Sequence, residues 1–205
     1  MAQRGLCVVK NGGSGADDVT VRMAEYDQEW PRRFAREAER LRAALGRRAL
    51  RIEHVGSTAV PGLAAKPVID MVVAVADSAE ESDYLGDLEA AGFVLRAREP
   101  EWFEHRFLDK AGTDSGVSVN LHVFSLGCTE IERMLAFRDH LRVNAADRER
   151  YARVKRDLAR RPWSDIEAYA QAKNAIVDEI HSRIAPAATA FPAQDLARPA
   201  ERPGE

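Results

Sequence analysis

The chain has 205 residues, of which 45% are hydrophobic and 31% charged, and its formal net charge at pH 7 is −3. These values are typical of one globular domain with a sizeable core, and they exclude a global positive field that would recruit nucleic acid or an acidic membrane. The sequence has no apolar run long enough to cross a bilayer and no signal peptide, so we expect a cytoplasmic protein. Cys7 and Cys128 match no metal-ligand spacing, and we expect both to be free thiols.

The two ends of the chain differ from its middle in composition. Residues 1–20 contain the run Asn-Gly-Gly-Ser-Gly-Ala and have almost no periodicity, which predicts a flexible leader. Residues 185–205 are rich in alanine, proline and charge, which predicts a disordered tail. The folded domain is therefore expected over residues 21–184.

The first predicted element is a helix that begins at Asp27, a favourable N-cap, and ends near Leu45. Gly46 follows it as a C-terminal stop. Four apolar residues recur at helical spacing and give this helix one face for the core. They are Phe34, Ala38, Leu41 and Leu45.

A strand, a glycine–serine turn and a second strand follow, and the chain is organised around them. Residues 50–55 are β-prone, Gly56 lets the chain turn sharply, and Ser57 is expected to cap the short helical piece after it. Residues 68–75 are almost all apolar, as in a strand buried on both faces. Asp70 interrupts this run, and a buried carboxylate is costly unless it is paired or binds a metal. Asp70 is thus either a metal ligand or an aspartate bonded to loop amides.

The middle of the chain predicts a helix and three strands. The helix runs from Ser78 or Glu80 to Ala91, where Gly92 ends it. The strands span residues 93–98, 102–109 and 117–124, and a turn at 111–116 joins the last two as a hairpin.

The last of these strands alternates between two faces. Its apolar face is formed by Val117, Val119, Leu121 and Val123. Asn120 and His122 lie side by side on the other face, which suggests a site, although a half-exposed strand histidine is common.

The C-terminal third is predicted to be helical. One helix spans residues 129–143, and Asn144 with Asp147 begins the next. A capping box at residues 164–167 begins a long helix that continues to residue 184.

Three cations lie near the apolar rows of these consecutive helices: Arg138, Lys155 and Lys173. Each follows an apolar or aromatic residue by one turn. A single such side chain usually extends from a core edge into solvent. Three of them could converge on one anion if the helices pack together, and phosphate is the obvious candidate. The whole pattern predicts a mixed α+β fold, with a sheet of four or five strands flanked by helices and closed on one side by the C-terminal helices.

The chain resembles the GrpB family, a branch of the nucleotidyltransferase superfamily with the polymerase-β-like catalytic fold. The resemblance covers about residues 21–184, and the run through Gly56 and Asp70 is its most specific part. The matching pieces are Tyr26-Asp27 with Trp30, residues 53–63, 66–70, 120–123 and 137–139, Tyr151 with Lys155, and Tyr169 with Lys173.

This resemblance implies a site for a nucleoside triphosphate such as ATP, with Mg²⁺. In the superfamily a Gly-Ser turn holds the triphosphate, and carboxylates on the following strands hold two magnesium ions. The resemblance places magnesium at Asp70 and gives catalytic roles to Asp70 and His122. It implies phosphate or nucleotide contacts from Gly56, Ser57, Thr58, Lys66, Arg138, Lys155 and Lys173.

The sequence departs from the superfamily in its acidic residues. Val72 stands where a second carboxylate is usual, and the later strand offers Asn120 and His122 instead of a third. Glu53 or Glu104 could substitute for the missing acids.

Three functions follow as hypotheses. The first is transfer of a nucleotidyl group to a small molecule, or activation of that molecule, by an enzyme that binds nucleoside triphosphate and magnesium. The second is a catalytically degenerate accessory domain that binds a nucleotide or another phosphorylated metabolite. Some family members are joined to a dephospho-coenzyme A kinase domain, which suits this role. The third is a transition-metal site formed by His54, Asp70 and His122.

Overall fold

The computed structural model describes residues 20–112 and 117–184. The predicted leader up to residue 19, the predicted tail and residues 113–116 of the predicted turn lie outside the described residues. Those described form a five-stranded mixed sheet with helices packed on both faces. This is the α+β fold that the sequence predicts.

The sheet has the spatial order β1-β2-β5-β4-β3. Its strands are β1 (Arg51–Val55), β2 (Val68–Val75), β3 (Val94–Glu99), β4 (His105–Lys110) and β5 (Ser118–Ser125). β2 and β5 are adjacent and parallel, whereas the other three pairs are antiparallel. Because paired residues point to the same side of a sheet, Asp70 shares a face with Asn120 of β5 and with Asp109 of β4.

One face of the sheet packs against α1 (Glu29–Leu45) and α2 (Leu85–Ala90). Helix α1 contributes the predicted apolar row, and the core includes Met71 and Val73 of the interior strand. The helix begins two residues after Asp27, whose carboxylate still accepts a hydrogen bond of 2.9 Å from the Glu29 amide. The start of α1 was therefore predicted slightly too early.

The opposite face packs against α3 (Thr129–Val143), through Ile131 and Leu135 of the helix and Phe124 of the sheet. Beyond it, α4 (Ala145–Ala159) and α6 (Asn174–His181) form a second core with the segment that precedes β2. The C-terminal helices thus lie over one end of the sheet, next to the glycine–serine turn.

Two predicted elements are shorter than expected. A 3-10 turn at Glu81–Asp83 replaces the first part of the second helix. The predicted strand over 102–109 begins only at His105, because Phe103 and Glu104 have positive φ angles of 57° and 52° and turn the chain.

The predicted long C-terminal helix is divided into α5 (Ile166–Gln171) and α6, with Lys173 at the N-terminal boundary of α6. Its N-cap is Asp165 rather than Ser164, since the Asp165 carboxylate accepts a hydrogen bond of 2.7 Å from the Ala168 amide. No helix in the described part of the chain has the length and apolar character needed to cross a bilayer.

Candidate functional site

The turn after β1 lies directly against the carboxylate of Asp70. Gly56 has a φ angle of 69°, which favours glycine. A Cβ atom at this position would lie 2.4 Å from Asp70 Oδ2 and 2.9 Å from Asp70 Cβ. The absence of a side chain at Gly56 therefore lets the turn and the carboxylate meet.

Asp70 is partly buried and has one direct side-chain partner. Asn120 Nδ2 donates a hydrogen bond of 2.8 Å to Asp70 Oδ1. Burial raises the pKa of Asp70, while the Asn120 hydrogen bond and the charges of three lysines act in the opposite direction. In order of effect, these lysines are Lys173, Lys66 and Lys155.

Lys155 of α4 reaches the same turn from the other side. It is 2% exposed, and its Nζ donates hydrogen bonds of 2.9 Å to Ser57 Oγ and 2.7 Å to the Ala64 carbonyl. Burial, followed by the charge of Lys173, lowers its pKa well below the usual value for lysine. Ser57 is the first residue of the 3-10 turn Ser57–Ala59, whose N-cap is Gly56 and which has no side-chain capping bond, so the predicted capping role of Ser57 is wrong.

Lys173 approaches Asp70 from the break between α5 and α6. Burial lowers the pKa of Lys173 to about 8, while the charge of Asp70 opposes this shift. Lys66 is exposed, and its positive charge acts on both Lys173 and Asp70. The structure thus brings Lys66, Lys155 and Lys173 together around one carboxylate.

Two tyrosines lie beside these lysines, and sequence analysis placed them only on apolar rows and in matched motifs. The ring of Tyr151 lies 4.7 Å from Lys155 Nζ, and the ring of Tyr169 lies 4.6 Å from Lys173 Nζ. Burial raises the pKa of Tyr151, and the Ser57 side chain opposes this rise. The signal that could have revealed this arrangement is the repeated spacing, because each tyrosine precedes its lysine by one helical turn.

Arg138 and Thr58 do not join this group. Arg138 Nη1 donates hydrogen bonds of 3.0 Å to Glu53 Oε2 and 2.9 Å to the His54 carbonyl. Thr58 is buried, and its hydroxyl donates a hydrogen bond of 3.0 Å to the Val68 carbonyl. Both side chains hold β1 and its neighbours in place, and their expected contacts with phosphate stay predictions.

His122 lies on the same face as Asp70 but is buried among aromatic rings. Its Nδ1 is 2.9 Å from His105 Nε2, and His105 Nδ1 is 2.8 Å from Glu99 Oε2. Burial keeps the pKa of His122 well below its usual value. With 2% of its surface exposed, His122 is part of a buried polar chain, and its expected acid–base role stays a prediction.

The transition-metal hypothesis is wrong. His54 points to the face of the sheet opposite Asp70, where its ring stacks on Phe34 at 4.7 Å. Burial lowers the pKa of His54 to about 3. Within residues 20–112 and 117–184, no group of three His, Cys, Asp or Glu side chains could hold a metal ion.

Other acidic residues near the Asp70 face of the sheet are neutralised by arginines. Glu53 accepts hydrogen bonds from Arg51 and Arg138, and Glu104 pairs with Arg106 outside the pocket.

Sequence analysis missed Asp109, which is 4% exposed and accepts a hydrogen bond of 2.8 Å from Arg96 Nε. Of Glu53, Asp70 and Asp109, only Asp70 has no arginine hydrogen-bonded to it in the described structure. Asp70 is therefore the carboxylate best placed to bind an added cation.

Comparison with known proteins identifies the family. A model of the GrpB protein family matches residues 20–183. The UPF0157 protein BH1888 of Halalkalibacterium halodurans is 54% identical over 166 residues, covering 81% of this chain and 83% of that protein. The UPF0157 protein SCO7215 of Streptomyces coelicolor is 44% identical over 169 residues, covering 82% of this chain and 87% of that protein.

A solved structure agrees with this match. The crystal structure of the conserved protein GrpB from Enterococcus faecalis is similar at a TM-score of 0.67 and 30% identity, covering 80% of this chain and 96% of that one. The residues that the family model matches include the sheet and the C-terminal helices that carry Lys155 and Lys173. The chain therefore belongs to the GrpB family.

Proposed function

We propose that this chain binds a nucleoside triphosphate such as ATP, together with Mg²⁺, in the pocket formed by Ser57, Asp70, Lys155 and Lys173. The observation that carries the proposal is the convergence of two lysines, one from α4 and one from the start of α6, on this serine and carboxylate. The superfamily resemblance supports the same ligand, because a glycine–serine turn at this position holds a triphosphate there.

The charges of the pocket favour a polyanion. Three lysines face one carboxylate, and burial together with mutual repulsion makes the ammonium forms of Lys155 and Lys173 unfavourable. Phosphate oxygens would stabilise the ammonium group of Lys173 through charge-assisted hydrogen bonds. A triphosphate supplies enough negative charge for Lys66 and Lys173, whereas a single carboxylate ligand does not.

Asp70 is suited to be the protein ligand of Mg²⁺. Mg²⁺ is commonly held by one or two carboxylates together with substrate phosphates, and it keeps several waters. Asp70 is the available carboxylate, and the Lys155–Ser57 pair lies across the same turn. When bound, the ion would neutralise negative charge on the phosphates.

Nucleotidyl transfer to a small molecule is the reaction that the resemblance favours. Val72 and Asn120 favour the alternative, a domain that binds nucleotide or phosphorylated metabolite without this transfer, because neither can act as a carboxylate ligand. Pyrophosphate release from MgATP in the presence of candidate acceptors separates the two. Release that is lost in Asp70→Asn supports transfer, and binding without release supports the alternative.

Calorimetric titration with MgATP tests the assignment of the lysines. Lys173→Met should weaken binding by about 1.5–3 kcal/mol, the range for a charged hydrogen bond. Lys110→Met is the matched control, because Lys110 also lies over an aromatic ring, at 5.2 Å from Phe93, but on another part of the sheet. Equal affinities of the wild type and both variants would contradict the proposed site.

A further inference from the structure

Ser57 and Lys155 have the geometry of a nucleophile and its general base. Lys155 Nζ lies 2.9 Å from Ser57 Oγ, within hydrogen-bonding reach. A serine hydroxyl becomes a good nucleophile when an adjacent base removes its proton, and a desolvated lysine amine can act as that base. The half-buried serine sits in the turn beside Asp70, where a ligand of the proposed pocket would lie.

Other groups fix the orientation of Lys155. The Ala64 carbonyl accepts a second hydrogen bond from Nζ at 2.7 Å, and the Tyr151 ring lies 4.7 Å away. A neutral amine has two N–H bonds and one lone pair. If one N–H stays on Ala64, the lone pair can turn to the Ser57 hydroxyl. Burial disfavours the charged form of Lys155, which supports this arrangement.

We propose that Ser57 is a nucleophile that accepts the terminal phosphoryl group of the bound nucleoside triphosphate, with Lys155 as its general base. The inference rests on the proposed binding of nucleoside triphosphate. It adds a covalent phosphoserine at Ser57, a reaction distinct from nucleotidyl transfer to a small molecule.

The depth of the groups determines which phosphorus is attacked. Lys155 is 2% exposed, whereas Gly56 and Lys66 are exposed to solvent. A triphosphate that enters with its nucleoside towards solvent places its terminal phosphate deepest. That phosphate meets Ser57 and Lys155 first, and the α-phosphate lies nearer solvent.

The step balances without a further reactant. A bond forms between Ser57 Oγ and the terminal phosphorus, and the bond from that phosphorus to the bridging oxygen of the β-phosphate breaks. The electron pair of the broken bond remains on the nucleoside diphosphate, which leaves. The hydroxyl proton of Ser57 moves to Lys155 Nζ, so the ammonium group is formed next to the new phosphate dianion, and Lys173 lies close to both.

The first experiment looks for the covalent product. The full chain is incubated with MgATP labelled in the terminal phosphate, quenched in acid and examined by intact mass and peptide mapping. We expect one phosphoryl group on Ser57, none in Ser57→Ala, and an unchanged yield in Ser82→Ala, an exposed serine outside the pocket. A nucleotidyl adduct, phosphate on another residue or no adduct would overturn the inference.

Calorimetry on the same samples separates this inference from the proposed function. Binding of MgATP without any adduct overturns the nucleophilic role and leaves triphosphate binding in place. Absence of both overturns the two proposals together.

A second experiment tests the nucleophile without nucleotide, using phenylmethanesulfonyl fluoride as the probe. Ser57 should be labelled in the wild type, and Lys155→Met should slow this labelling at least about 100-fold, the lower range for loss of a general base. Lys155→Arg keeps the positive charge but cannot act as a base near neutral pH, so labelling of Ser57 should also be slow in this variant. Folding of each variant is checked by circular dichroism, and labelling of a folded Lys155→Arg at the wild-type rate would overturn the base assignment.

Discussion

At the residue scale, the contact between Gly56 and Asp70 determines whether the pocket can form. The carboxylate occupies the space in which any larger residue at Gly56 would place its Cβ atom. This dependence is steric and involves no hydrogen bond between the two residues. It can be tested directly, since the chain contains a second glycine with a similar backbone and open surroundings.

Replacing Gly56 by alanine should destabilise the protein more than replacing Gly62. Both glycines have positive φ angles, 69° and 76°, so each substitution costs about 1–3 kcal/mol of backbone strain, and Gly56, with a ψ angle of −170°, lies in a region that is nearly restricted to glycine. Only Gly56→Ala also collides with Asp70, whereas a Cβ at Gly62 meets nothing within 4 Å. Urea unfolding should therefore give an additional loss of at least about 1 kcal/mol for Gly56→Ala. Equal losses in the two variants would show that Asp70 moves away freely.

The titration of Lys173 predicts a dependence of stability on pH. Its pKa is about 8 in the folded protein and near the usual 10.5 when unfolded, so between these values the unfolded chain binds more protons. The contribution of Lys173 to stability therefore rises with pH across this window. The free energy of unfolding, measured by denaturation at pH 7.5 and 9.5, should increase less between these two pH values in Lys173→Met than in the wild type. The same change in both proteins would mean that Lys173 titrates normally.

At the element scale, most strands and helices follow from the sequence, but the break before α6 does not. Strands β2 and β5 were predicted from apolar runs and alternation, which depend on local pattern. The row of residues from Tyr169 to Ile180 has helical spacing throughout, so the pattern predicts one continuous helix. The break places Lys173 near Asp70, which is a tertiary contact that no local pattern contains.

The same limit applies to the site. Asp70, Ser57, Lys155 and Lys173 could be selected as candidates because a resemblance and a repeated spacing mark them. The pairing of Arg138 with Glu53 and the burial of His122 against His105 depend on the packing of distant elements. Sequence analysis could therefore name the cations but could not determine which of them converge.

Helix α4 carries both Tyr151 and Lys155, and its start depends on a side-chain cap. The Asn144 carboxamide oxygen accepts a hydrogen bond of 3.0 Å from the Asp147 amide. Asn144→Ala should reduce the free energy of unfolding by about 1 kcal/mol. Gln28→Ala is the matched control, because Gln28 stands at the N-cap of α1 without a side-chain capping bond and should change stability little. An unchanged free energy of unfolding in Asn144→Ala would show that this cap does not stabilise α4.

At the scale of the whole molecule, the described domain contains four apolar clusters, of which two join the sheet to its helices and two join the C-terminal helices to each other and to neighbouring segments. Composition alone predicts that the ends of the chain add little to this core. A truncated protein of residues 21–184 should therefore have a free energy of unfolding within about 1 kcal/mol of that of the full chain. A large drop in melting temperature on truncation would show that one end docks on the domain.

The central claim is that Asp70 and the surrounding lysines bind a magnesium–triphosphate complex. Its most direct test is calorimetric titration of ATP into the wild type and Asp70→Asn, each with and without Mg²⁺, together with melting curves of the unliganded proteins. We expect magnesium to strengthen binding in the wild type and not in Asp70→Asn, while the unliganded variant melts no lower than the wild type. A variant that melts several degrees lower yet binds MgATP as the wild type does would contradict the claim, because Asp70 would then be a structural residue only.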